Sequence, residues 1–71
     1  MKKNEFLSEL SKIFEKKIDE KTNLDKLIFD SLKVLELIAL KESKFKKLNI
    51  KPNEYLQCKS ISQIIKLFKV K

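Results

Sequence analysis

At 71 residues the chain is shorter than a typical domain of about 100–150, so residues 1–71 are read as a single domain with a thin core. Its 42% apolar and 38% charged residues exclude a disordered tail. Gly and His are absent and Cys occurs once, which excludes glycine-built phosphate loops, Cys/His zinc sites and a Cys–His catalytic pair.

The first segment reads as an amphipathic helix. Phe6, Leu7, Leu10, Ile13, Phe14 and Ile18 recur at steps of three and four and form one stripe. Glu5, Glu9, Lys12 and Lys16 fall on the other side, with Glu9 and Lys12 at an ordinary ion-pair spacing. Asn4 is expected to cap this helix, and the polar stretch 19–23 to end it. Residues 24–30 form a connector too apolar for a solvated linker, so Leu24, Leu27, Ile28 and Phe29 are expected to tuck into the core.

A second helix begins at Asp30 or Ser31. Asp is among the best N-cap residues because its carboxylate accepts from free backbone N–H groups. From Leu32 to Leu40 the run is apolar except for Lys33 and Glu36, which places this helix centrally. It should fray over residues 44–47. Leu48, Ile50 and Pro52 then make an extended link, with Asn53 expected to cap a short turn that points Tyr55 and Leu56 inward. The last helix starts behind Ser60 and carries Ile61, Ile64, Ile65 and Phe68 on one stripe with Leu67 flanking. Lys66, Lys69 and Lys71 suit the negative end of its dipole. Long helix, apolar loop, central helix, short turn and final helix make a small all-α helical bundle.

The net charge of +7 is unevenly placed. Residues 1–30 hold seven Lys and seven acids; residues 31–71 hold ten Lys and three Glu. There is no Arg to supply a planar fork for phosphate or guanine edges, so a small basic nucleic-acid-binding protein is only the alternative reading. One Cys cannot staple the fold, which fits a reducing cytoplasmic setting. No apolar run approaches the ~18 residues of a membrane span, and residues 1–10 do not read as a signal peptide. Cys58 is expected to act as a small buried hydrophobe and Tyr55 as a residue at the core's edge.

Phe29-Asp30-Ser31-Leu32, followed by Lys33-Val34-Leu35-Glu36-Leu37-Ile38-Ala39-Leu40, resembles the carrier proteins of fatty-acid, polyketide and peptide synthesis. These are the acyl carrier family with its aminoacyl and D-alanyl relatives. The family pattern is Asp-Ser-Leu opening a helix, with Glu-Leu five and six residues after the Ser. Here those positions are Asp30, Ser31, Leu32, Glu36 and Leu37. Phe45, the Pro52 link and Ser60-Ile61 also fall where the family has counterparts, so the resemblance spans nearly the whole chain. Read alone, Asp before Ser at a helix start is also a common capping pair with no modification. The frame around it favours the carrier.

The resemblance implies a four-helix bundle, three main helices plus a short third. It implies that a phosphopantetheinyl transferase, using coenzyme A and magnesium, esterifies Ser31 with 4′-phosphopantetheine. The thiol of that arm would hold an acyl or aminoacyl thioester for loading and transferring enzymes, as in fatty acid biosynthesis and related lipid metabolism. Asp30 would matter to the modification step, and Leu32 would anchor the loop or touch the transferase. Lys33, Val34 and Glu36 would face docking partners. The chain would be a non-catalytic monomer, with no metal site and no membrane partner. The residues support this independently: a helix N-terminus favours an anion such as a phosphodiester on Ser31, and no His stands by to make Ser31 a nucleophile.

Two departures stand out. Many family members have Gly where this chain has Ile28, so the loop must turn without it, and Ile28 and Phe29 are expected to pack there. Lys33 stands where the fatty-acid branch has an acid, and Lys41 and Lys44 fall where acids or apolar residues are expected, so either the partners carry adapted acidic or apolar docking surfaces or the chain docks mainly through Leu32, Val34 and nearby apolar groups. A short acyl chain is expected between the second and third helices, lined by Leu35, Leu37 or Ile38, and Leu56. The alternative within the same fold is a carrier-like interaction module with Ser31 left unmodified.

Overall fold

Phe6, Leu10 and Phe14 stand four residues apart, and their burial on one side defines the first helix, α1 (Lys3–Phe14). The structure is a computed structural model that describes residues 1–70. The helix opens behind Lys2 without a side-chain cap, so Asn4 lies inside it rather than capping it. It also ends earlier than its apolar stripe. Glu15 turns into the left-handed region (φ 56°), and the chain leaves the helix there rather than at 19–23. Ile18 still reaches the core, from the loop, because the Ser11 hydroxyl oxygen accepts its amide N–H at 3.2 Å.

The connector behaves as expected at Leu24, which is buried as the first residue of a 3₁₀ turn (Leu24–Lys26), and at Leu27 and Phe29, which pack partly against the core. Ile28 does not: it is 74% exposed. The loop turns without any left-handed residue, so its extended backbone sends Phe29 inward and Ile28 out. The loop is spliced to the far part of the chain. Leu24 N–H donates to the Lys59 carbonyl and Ile61 N–H to the Thr22 carbonyl, both at 2.9 Å, forming the isolated bridge between Asn23 and Ser60.

The central helix, α2 (Ser31–Lys44), buries Val34, Leu37 and Leu40. Although apolar almost all round, it is covered on one side only. Leu35 stays 62% exposed because neither α1 nor the short third helix reaches that face. The third helix, α3 (Pro52–Leu56), starts with proline at its first position, where the missing N–H costs nothing. Its cap is Lys51, not Asn53, and the Lys51 N–H donates to the Glu54 carboxylate at 2.8 Å. Five residues present one inward side: Tyr55 is fully buried rather than at the core's edge, and Leu56 points out, 60% exposed. The last helix, α4 (Ile61–Leu67), is capped as expected by the Ser60 hydroxyl, which accepts from Gln63 N–H at 3.4 Å. Lys66 sits in its last turn, and Lys71 lies outside the described residues.

Together these make a small four-helix bundle, with no strand among the described residues. Phe6 meets Phe45, just past α2, while Phe14 meets Phe29, just before it, so α1 and α2 run antiparallel. One end of the bundle is aromatic: Phe68 has ring centroids at 5.0 Å from Phe6, 5.2 Å from Phe45 and 6.0 Å from Tyr55. The other end carries the start of α2.

Candidate functional site

The backbone at the head of α2 is set by Asp30. Its extended φ/ψ ends the loop, and its carboxylate accepts from Lys33 N–H at 3.1 Å while its carbonyl accepts from Val34 N–H at 3.1 Å. The amides of Ser31 and Leu32 are left without a partner among the described residues. They point along the positive end of a 14-residue helix dipole. Ser31 is exposed at the first position of this helix. A phosphodiester on its oxygen would meet two free donors and the dipole, so the residues present fit a covalently attached phosphate group.

Leu32 is 59% exposed, so it does not anchor the loop; it stands in solvent next to Ser31. Ile28, Leu32 and Leu35 leave an apolar surface around the serine, with exposed Ala39 one turn beyond Leu35. The three residues expected to dock partners divide. Val34 is buried in the core between α2 and its neighbours and is not available. Lys33 is largely covered, with 16% of its side chain exposed. Its ammonium donates to the Ile13 carbonyl at 2.8 Å, where it satisfies an open carbonyl in the last turn of α1 and sits at the negative end of that dipole. It also lies 3.5 Å from the Glu36 carboxylate, an ion pair without hydrogen-bond alignment. Only Glu36 keeps a partly exposed charge on this stretch. Sequence reasoning misses the role of Lys33 because its partner is a backbone atom twenty residues away.

A cleft of about 530 Å³ borders the loop, with Asp25, Leu27, Phe29 and Lys59 among the residues that line it. Cys58 also borders it. Its thiol donates to the Glu54 carbonyl at 3.5 Å, and burial, with Glu54 adding to it, holds the thiol above its usual range. The chain has no His, and no cluster of metal-ligating residues occurs among the described residues. No described helix is long and apolar enough to cross a membrane.

A family model described as "Phosphopantetheine attachment site" matches residues 5–68. No curated protein and no solved structure matches the chain.

Proposed function

Because the chain belongs to the phosphopantetheine-attachment family, whose members carry 4′-phosphopantetheine covalently, we propose that Ser31 is its point of attachment. The carrying observation is the position of Ser31, exposed at the first turn of α2, behind the Asp30 cap and inside the matched span. In the modification, the serine oxygen forms a new bond to phosphorus as the bond to the nucleotide half of coenzyme A breaks. The hydroxyl proton leaves to a base of the transferase. This chain supplies the hydroxyl, the two free amides and the approach surface. The attached arm supplies the thiol, and cargo chemistry belongs to it.

The protein then carries an acyl or aminoacyl thioester between a loading enzyme and a transferring one, as a cytoplasmic monomer without catalysis of its own. Asp30 supports the modification step by fixing the first turn, and Leu32 touches the transferase. Docking rests on the apolar surface of Ile28, Leu32 and Leu35, with Glu36 as the charge beside it, since Lys33 is engaged with α1 and Val34 is buried.

Intact-mass spectrometry tests this directly. The chain is incubated with coenzyme A, magnesium and a broad-specificity transferase. The expected result is one phosphopantetheine mass gain, absent in Ser31→Ala. A gain that persists in Ser31→Ala moves the site elsewhere. No gain in the parent, with a known carrier modified in parallel, leaves an unmodified interaction module.

A further inference from the structure

The excess positive charge of the chain has a place in the fold. Residues 44–70 hold seven Lys and one acid, Glu54. Five of these lysines are exposed around two open hollows that share Leu48. One hollow, of about 390 Å³, lies where α2 ends, among Lys44, Lys46 and Lys47. The other, of about 310 Å³, lies against the end of α4, with Lys66 and Lys69 beside half-buried Ile50 and Leu67. The ion pairs among the described residues all use lysines earlier in the chain: Lys3 with Glu20, Lys12 with Glu9, Lys33 with Glu36 and Lys41 with Glu42. Glu54 also borders the second hollow, where its carboxylate accepts the Lys51 N–H.

Clustered like charges repel one another, and an anionic partner relieves that repulsion. The hollows decide which class of anion fits. The chain has no Arg to fork onto phosphate, and Phe45 and Phe68 turn inward against Phe6, so no aromatic platform is offered to bases. None of the exposed large apolar side chains lines either hollow, so no wedge projects from this face into a bilayer. The face presents ammonium groups around recesses with apolar linings. Its complement is a row of acidic side chains interleaved with protruding apolar ones. We propose that this face docks an acidic segment of a partner protein, with that segment's apolar side chains seated in the two hollows. The face begins where α2 ends, about 20 Å from Ser31 by the length of a 14-residue helix. A partner held there leaves the serine accessible.

The test titrates a fluorescein-labelled peptide of repeating Glu-Glu-Leu with the full, unmodified chain and reads fluorescence anisotropy. It therefore succeeds or fails separately from the Ser31 assignment. Saturable binding is expected at low ionic strength, weakening as salt is added, with amide resonance shifts confined to residues 44–50 and 66–69. The triple variant Lys46→Gln, Lys47→Gln, Lys66→Gln should weaken binding about tenfold, since each exposed pair contributes a factor of a few. Lys16→Gln, Lys17→Gln, Lys21→Gln removes the same charge from the balanced first part of the chain and should change binding by less than about twofold, because distant exposed charges are screened. All six lysines are exposed, and circular dichroism checks that both variants keep the fold. Equal losses in the two variants reduce the effect to net charge and overturn the proposal. Absence of saturable binding by the parent chain overturns it too, as do shifts centred on the head of α2. Equal binding of a Glu-Glu-Ser peptide overturns it because the hollows then contribute nothing. Tighter binding of oligothymidylate or of phosphatidylglycerol vesicles overturns it in favour of a nucleic acid or a membrane.

Discussion

The two ends of this bundle are built differently. At one end Phe6, Phe45, Phe68 and Tyr55 interlock, and every ring in the group is buried except Phe45, which is partly covered. At the other, where α2 begins, only Phe14 and Phe29 meet, at 6.1 Å, and Ile28 and Leu32 stand in water. The first end concentrates buried area where a thin domain needs it. The second leaves apolar surface uncovered around Ser31 and holds its geometry with polar ties instead: the Asp30 cap, the reach of Lys33 to Ile13 and the bridge from the loop to α4. The difference separates a sealed, ring-packed end from an open, polar-tied one along one axis of a very small protein.

The sharpest way to break this comparison is at the aromatic end. Phe68→Ala removes the ring that touches three others and should cost about 3–5 kcal/mol, as for other buried aromatics, which is comparable to the whole stability of a domain this size. Far-UV circular dichroism and urea unfolding should show a largely unfolded chain at ambient temperature. A cooperative transition with its midpoint unchanged would mean that the aromatic cluster is not the source of stability.

At the serine end the expected losses are smaller. Lys33→Met keeps the aliphatic stem but drops the bond to the Ile13 carbonyl and the pairing with Glu36. It should destabilise by about 1–2 kcal/mol, because a carbonyl loses a charged donor in a partly covered place. The same variant should hardly change the salt dependence of modification by the transferase, because the ammonium is already committed within the fold. A strong change in salt dependence would restore Lys33 as a docking charge.

The smallest effect on stability should come from the exposed face. Leu35→Ser should shift unfolding by no more than about 0.5 kcal/mol, since the side chain is mostly in water. Its rate of modification or of acyl transfer should fall if this face meets partners. Equal rates for the parent and Leu35→Ser with every partner assayed would leave the face without a recognition role.

Much of this organisation is legible in the sequence, because it depends on local chemistry. Asp30 marks the start of α2 through the carboxylate that accepts from the Lys33 amide, and Ser60 does the same for α4 with the Gln63 amide. The buried stripes of α1 and α4 follow from spacing alone. The misses share a cause, which is that apolar character does not say what covers it. Leu35, Leu56 and Ile28 read as core and are surface. Ile18 continues the stripe of α1 by spacing but reaches the core only after the helix has ended at Glu15, held by Ser11. Lys33 reads as a free charge, and its commitment appears only when two helices are placed side by side. At the candidate site, the pattern around Ser31 places that serine behind its Asp30 cap at the head of α2, whereas which neighbours remain exposed required the fold.

The splice between the loop and the start of α4 has a further consequence. Thr22, Leu24, Lys59 and Ile61 exchange two backbone hydrogen bonds that span thirty-five and thirty-nine positions of chain. The segment leading into the serine therefore cannot peel away without releasing the beginning of the final helix. Breathing motions of the two should occur as one event, with hydrogen exchange at Leu24 and Ile61 rising and falling together. Any enzyme that needs the serine's approach loosened must work against the last helix as well as the nearest one.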